Sequence, residues 1–223
     1  MRKNNITLSP LFLLLTVIFC TCLIVSNIME IKTVALGPLT ITAGMIVFPV
    51  SYIINDCLVE VYGFGKARLV IWLGFMANLI VSLLLQIGIW LPGAESWTGQ
   101  DAMITIFSPV PRILAASFIA FLCGSLANAY VMHRMRITAD SDNSTGFRHS
   151  FSARAIISTL WGESIDSAIF FPLAFAGILP WSVILTLMVT QALLKTLYEL
   201  IVLPVTVKIV KLIRRAETFT PAI

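Results

Sequence analysis

Six ionisable residues stand inside strongly apolar stretches of this sequence: Asp56, Glu60, Glu163, Asp166, Lys195 and Glu199. A charge held within hydrocarbon costs at least a few kcal/mol, so one retained there pairs with a partner, faces water or meets a ligand. Five acids against one lysine cannot all be paired off. Their spacing groups them. Asp56 and Glu60 are i,i+4, about 40° apart around a helix, and Glu163 and Asp166 are i,i+3, about 60° apart. Gln191, Lys195 and Glu199 form an i, i+4, i+8 stripe. Three one-sided polar faces should turn inward and enclose a mostly acidic cavity. Asn55 borders the first face. Trp161 and Tyr198 lie beside the acids in sequence, as do Phe170 and Phe171, and the rings of Trp161 and Tyr198 can stack on a flat ligand.

Each feature also has a plain structural use. Glu60, near a helix end, can pair with Lys66 or Arg68. Asp56 can sit in a structural pair. Lys195 with Glu163 or Asp166 can be an internal salt bridge that fixes helix packing, although a bridge needs one acid and two are present. The amides Asn27, Asn55, Asn78, Asn128 and Gln191 can join helices by hydrogen bonds. Aromatic rings can simply pack.

The elements that must position these groups are membrane helices. Of 223 residues, 58% are hydrophobic and 12% charged, where a soluble domain carries about 25% charge. That composition excludes a disordered chain and an ordinary soluble enzyme. The net charge of +4 does not mark a nucleic-acid binder, because the basic residues sit in short clusters between apolar runs. At about 20 residues per crossing, the sequence reads as a single all-α polytopic membrane domain of six spans. These cover about 8–26, 39–61, 69–91, 113–132, 156–179 and 182–207, with a cytoplasmic loop at 133–154. The first run follows Arg2-Lys3 without a small-x-small cleavage site, so it reads as a retained helix. Pro92-Gly93 closes the third span, Pro180-Trp181 turns the fifth into the sixth, and Pro204 should kink or end the last.

Six spans put both termini on one side. Twelve of the 15 basic residues fall there, all but Lys32, Arg112 and Lys195. The positive-inside rule then makes both termini cytoplasmic. The polar loop divides the chain into two three-span halves of opposite orientation, as in an inverted repeat. The second span of each half carries two acids and a proline: Asp56, Glu60 and Pro49 against Glu163, Asp166 and Pro172. The cysteines Cys20, Cys22, Cys57 and Cys123 lie in apolar runs with no CxxC pair, which reads as small buried hydrophobes. Neither a metal site nor a cofactor is expected.

Three stretches resemble a known family. They are Asp56-x-x-x-Glu60-x-Tyr62-Gly63-x-x-x-Ala67-Arg68, Gly162-Glu163-x-x-Asp166-Ser167-x-Ile169-Phe170, and Lys195-x-x-Tyr198-Glu199-x-x-x-x-Pro204-x-Thr206. In this order on a six-span chain they resemble the queuosine-precursor transporter family, also described as a vitamin uptake transporter family, over about residues 27–208. The resemblance implies a multi-pass protein of the bacterial inner membrane that imports 7-deazaguanine compounds, the nitrile and aminomethyl precursors of a modified tRNA base. It also implies likeness to the six-helix substrate-binding subunits of energy-coupling-factor transporters. The residues agree chemically. A guanine-like edge offers a ring N–H and an exocyclic amine side by side, which one carboxylate accepts as a pair. Lys195 or Gln191 can donate to the ring carbonyl, and a second carboxylate can neutralise the aminomethyl cation.

Other readings are a substrate-binding subunit driven by an ATPase partner, an intramembrane enzyme, or a purely structural protein. The chain has no P-loop, so any ATP use belongs to an energising partner. Asp56 and Asp166 are formally available to an intramembrane aspartyl protease, but no Gly-x-Gly-Asp stretch accompanies them. Both histidines, His133 and His149, fall in the cytoplasmic loop, which argues against a rhomboid-like protease. A structural protein would have no reason to keep five intramembrane acids. The partners expected are a small-molecule substrate, the lipid bilayer, and a second copy or an energising subunit; nucleic acid is not expected.

Overall fold

Ser9 and Pro10 open the first helix. The Ser9 hydroxyl accepts a hydrogen bond from the Phe12 amide at 3.0 Å, and proline fits the first turn because no amide hydrogen is needed there. The computed structural model describes residues 9–37, 39–141 and 151–219. Its helices are α1 (Pro10–Met29), α2 (Phe48–Tyr62), α3 (Phe64–Trp90), α4 (Gln100–Phe107), α5 (Val110–Ser141), α6 (Phe151–Phe175) and α7 (Trp181–Phe219). Four stretches are long and apolar enough to cross a bilayer: Pro10–Met29, Phe64–Trp90, Gln100–Met135 and Trp181–Val202. Rows of bare leucine, isoleucine and valine cover the outward faces of α1, α3, α5 and α7. A surface of that kind belongs in lipid, and the chain is a predominantly helical polytopic membrane protein.

The second expected span differs. The sequence reading runs a helix over 39–61, whereas α2 begins only at Phe48. Before it, β1 (Thr33–Leu36) and β2 (Leu39–Thr42) pair antiparallel with Thr33 opposite Thr42, and a 3-10 turn, Ala43–Ile46, follows. The all-α description therefore needs this hairpin added. Threonines and β-branched Val34 and Ile41 favour extended backbone, and Gly37, at φ 59°, supports the tight turn. With 15 residues, α2 is about 22 Å long, less than the roughly 30 Å of bilayer hydrocarbon. Elsewhere the differences lie at helix ends, apart from the short helix α4, which forms within the connection expected between the third and fourth spans. α7 continues through Pro204 to Phe219, and α5 continues to Ser141, well into the stretch read as loop. Residues 142–150 of that loop, including His149, lie outside the described residues.

One end of the bundle is a polar lock. α2 and α3 are joined by Gly63 alone, at φ 85° and ψ 159°, a conformation open essentially to glycine. Tyr62 and Ser9 both donate to Glu217 Oε1 at 2.6 Å, so the start of α1, the end of α2 and the end of α7 meet. Both ends of the described chain therefore lie at the same end of the bundle. Glu60 pairs with Arg214 at 3.0 Å, not with Lys66 or Arg68. Arg214 also donates to the Glu60 carbonyl at 2.7 Å. Lys66 instead lies over the rings of Phe12 and Tyr62, at 5.7 and 5.8 Å. Much of the first quoted motif is thus a structural corner.

Two main apolar cores form, one largely in each half of the chain, and a smaller third cluster of Cys57, Val210 and Ile213 joins α2 to α7. Phe12, Phe19 and Leu23 of α1 pack with Leu58 of α2 and Val70 and Phe75 of α3. Ile113 and Ala120 of α5 pack with Phe170, Phe171 and Phe175 of α6 and Ile184 and Leu187 of α7. Within the second half α5 lies very close to α6. A Cβ on Gly124 would approach the Gly162 carbonyl oxygen to 2.9 Å, and a Cβ on Gly162 would approach Asn128 Cβ to 2.9 Å. Small residues at a helix crossing permit this contact. Arg112 of α5 donates to the carbonyls of Leu173 and Ala176, both at 2.7 Å, where α6 ends and its last carbonyls need partners.

Candidate functional site

The seam between the two cores is hollow. An aromatic cavity, open at its mouth, is lined by Phe19, Phe48, Phe75, Phe121, Phe170 and Phe171. Its polar wall comprises Glu30, Ser51, Asn55, Ser117, Asp166, Gln191 and Lys195. Each helix reaches it through one face. Gln191 and Lys195 are one helical turn apart on α7, and both are buried. Lys195 Nζ bonds Asp166 Oδ2 at 2.8 Å and lies 3.4 Å from Glu163 Oε2. The ammonium also sits 5.1 Å from the centroid of the Phe48 ring, a cation–π distance. Gln191 Nε2 donates to the Thr42 hydroxyl at the end of β2, which ties the hairpin to α7.

A second, polar cavity adjoins the first, sharing Asn55, Phe121 and Asp166 with it. Its walls bring together the carboxylates Asp56, Glu163, Asp166 and Glu199 with Asn128 and Thr159. The close α5–α6 crossing forms part of this wall, since Gly124 and Gly162 line it too. Asp166 lies one helical turn after Gly162 and also faces Gly124, and Glu163 follows Gly162 directly, so the crossing that holds the two helices together helps position both acids.

The nine residues singled out from the sequence divide as follows. Asp166 and Asn55 line both cavities, Gln191 and Lys195 the aromatic one, and Asp56, Glu163 and Glu199 the polar one. Trp161 and Tyr198 line neither. Trp161 is 56% exposed; one residue before the glycine that faces α5, its side chain is turned about 100° away from that contact. The rings available to a ligand are phenylalanines instead, including Phe170 and Phe171. The expected enclosure by three spans is also too narrow, because α1, α3 and α5 contribute walls.

Sequence reasoning missed Glu30. It is 2% exposed and lines the aromatic cavity. A signal for it exists. Ser26, Asn27 and Glu30 are spaced i, i+1, i+4, which is one polar face if the first helix continues past residue 26, and all three are buried. Ending the span at residue 26 put the acid in a loop.

The family described as "Putative vitamin uptake transporter" matches residues 42–209. The chain belongs to this family. Among relatives, it is 32% identical over 179 residues to the "Probable queuosine precursor transporter" of Bacillus subtilis, covering 80% of this chain and 76% of that protein. It is 27% identical over 134 residues to the "Queuosine precursor transporter" of Escherichia coli, 60% of this chain and 55% of that protein. The "Probable queuosine precursor transporter" of Haemophilus influenzae is 26% identical over the same length, with 52% of that protein covered. No solved structure matches the chain significantly. The vitamin uptake transporter family is one of transporters, not enzymes, and its match spans every site residue predicted from the sequence, while Glu30 precedes it.

Proposed function

We propose that the protein imports queuosine precursors, 7-deazaguanine compounds such as the nitrile and aminomethyl forms, across the bacterial inner membrane for tRNA queuosine salvage. The names of its relatives support the substrate class. The observation that carries the reading is the buried Lys195–Asp166 pair on the wall of a phenylalanine-lined cavity. Flat rings suit a flat heterocycle, and carboxylates with a lysine and a glutamine suit a guanine-like edge with its carbonyl. In this reading α1, α2, α3, α5, α6 and α7 make six crossings, as in the binding subunits of energy-coupling-factor transporters. Both termini are cytoplasmic, on the side holding 12 of the 15 basic residues.

Lys195 takes two partners in turn. Without ligand it neutralises Asp166 and Glu163. When the heterocycle enters, a carboxylate exchanges the ammonium for ligand N–H groups, and the freed ammonium donates to the ring carbonyl. Every buried charge stays satisfied in both states. The ligand thereby gains a contact that differs between states, the minimum needed to bias a transporter's conformation.

The test is salvage. A host that neither makes the precursors nor has its own importer is given this gene and fed each compound, and queuosine in its tRNA is measured. Restored queuosine is expected with either precursor; none with both overturns the reading. Orientation is checked on a cysteine-free background, where Trp97→Cys should be labelled from the periplasm and not from the cytoplasm.

A further inference from the structure

Two carboxylates face the aromatic cavity, and they differ in how they are held. Asp166 is engaged by Lys195. Glu30, at the C-terminal end of α1, is held from one side only. The Thr42 hydroxyl accepts from Gln191, which leaves its proton for the Glu30 carboxylate. The other oxygen, Glu30 Oε2, is buried and has no hydrogen-bond partner among the described residues. Ser51 Oγ, on the same cavity wall, is likewise buried without a partner among them. The backbone is shaped around this carboxylate. A Cβ on Gly44 would collide with Glu30 Oε1 and lie 2.8 Å from the Ser26 carbonyl oxygen, so only glycine lets the 3-10 turn close over it. A carboxylate this enclosed, oriented by a glutamine–threonine chain and keeping an open acceptor, is arranged to receive donors from a bound molecule.

We propose that Glu30 is the specificity-determining acceptor of the cavity: it takes the paired N–H donors of a 2-aminopyrimidinone edge, the ring N–H and the exocyclic amine. The assignment rests on the importer reading above. It divides the recognition between two sets of groups lining the same cavity. Glu30 reads the amino edge, held in place by Thr42 and Gln191, so the carboxylate that releases Lys195 takes the remaining donors, the pyrrole N–H or the aminomethyl cation, and Lys195 donates to the carbonyl. A site built to hydrogen-bond a ligand group discriminates against the analogue lacking it, because its own buried acceptor is then stranded.

The experiment uses the full-length protein in lipid nanodiscs and two ligands, the nitrile 7-deazaguanine and the same compound with hydrogen in place of the 2-amino group. Wild type should bind the amino compound about 10- to 100-fold tighter, the range of one hydrogen bond to a charged group. Glu30→Gln should lose most of that preference, mainly by weaker binding of the amino compound, since its amide turns a donor toward the ligand. Thr42→Val keeps the carboxylate but removes its anchor, and should weaken the amino compound while retaining a preference for it. Should Glu30→Gln fail to fold, the wild-type comparison and Thr42→Val still decide. Equal wild-type binding of both compounds, or a Glu30→Gln protein that keeps the full preference, overturns the assignment alone. Binding of neither compound by wild type overturns the importer reading and the assignment with it.

Discussion

The hairpin end and the terminus end of this bundle handle polar groups in opposite ways. Toward the hairpin, a few buried groups stand among phenylalanines, each fixed by a named neighbour: Gln191 by Thr42, Thr42 by Glu30, Asp166 by Lys195. Toward the termini, carboxylates are crowded into a polar cavity, and beyond it Glu60 and Arg214 pair in the open, 63% and 56% exposed. A sparse, dry, oriented set of groups selects a ligand, because each misplaced partner is costly in low dielectric. A cavity crowded with carboxylates selects weakly, because no single acceptor fixes a ligand's orientation there. The two regions meet at Asn55, Phe121 and Asp166. The difference implies that substitutions on the hairpin side change which molecule binds, and those on the terminus side change how fast it moves.

Lys195→Met should give the largest effect, because Lys195 holds both Asp166, where the regions meet, and Glu163 of the polar cavity. Removing one partner of a buried pair strands the other at about 3–5 kcal/mol, and here two carboxylates lose the same cation. Uptake should vanish and the melting temperature in detergent should fall. Lys195→Met with Asp166→Asn should recover part of the stability but not the uptake. Where the single variant still binds, the neutral nitrile compound should lose more affinity than the cationic aminomethyl one, whose own charge partly replaces the ammonium. Equal losses for both would leave Lys195 a structural partner only.

The two acids around that lysine sharpen the boundary. Asp166 is the nearer, at 2.8 Å against 3.4 Å for Glu163, and it alone of the two lines both cavities. Asp166→Asn should therefore lower both thermal stability and ligand affinity. Glu163→Gln should keep expression and stability closer to wild type while abolishing uptake. Normal uptake by Glu163→Gln would remove Glu163 from the transport path.

How much of this could be read beforehand follows from where each signal is local. Helical spacing of charges within apolar runs is a local pattern, so the inward faces of Asp56, Glu163, Asp166 and Lys195 were legible. The lysine's acid partners were narrowed to Glu163 or Asp166, and both are found. The hairpin was not legible, because residues 39–47 are as hydrophobic as a span, and only threonines and β-branched residues distinguish them. Glu30 was half legible: its spacing with Ser26 and Asn27 marks an inward polar face once the first helix is carried past residue 26, but its partners Thr42 and Gln191 lie 12 and 161 positions away and have no local signal. The indoles and phenols were overrated as stacking groups. For Trp161 the inward face is set by the glycine crossing of α5 and α6, a tertiary contact with no signal in the local spacing.

Within the polar cavity, Asp56 and Glu199 test the division of labour with a smaller expected effect. Both line that cavity and not the aromatic one. Asp56→Asn and Glu199→Gln should leave ligand affinity in nanodiscs little changed and slow uptake into cells. An affinity loss as large as that of Asp166→Asn would mean that the ligand's resting position extends into the acidic cavity, and the contrast between the two regions would collapse.

The smallest effect should come from the Glu60–Arg214 pair, which has the same kind of charges as Lys195–Asp166 and nearly the same separation, 3.0 Å against 2.8 Å. Distance alone would make the two pairs equal. Solvent decides otherwise, since water screens an exposed pair and solvates either partner when the other is removed. A double-mutant cycle with Glu60→Gln and Arg214→Gln should give a coupling of about 1 kcal/mol or less, shrinking as salt is raised. Arg214→Gln alone should cost somewhat more than Glu60→Gln, because the guanidinium also holds the Glu60 carbonyl at the end of α2, a contact that does not depend on the carboxylate. Uptake should be unaffected by either. A coupling comparable to that of the buried pair would mean that the terminus end is closed to water in the membrane, and that its polar cavity is as selective as the one beneath the hairpin.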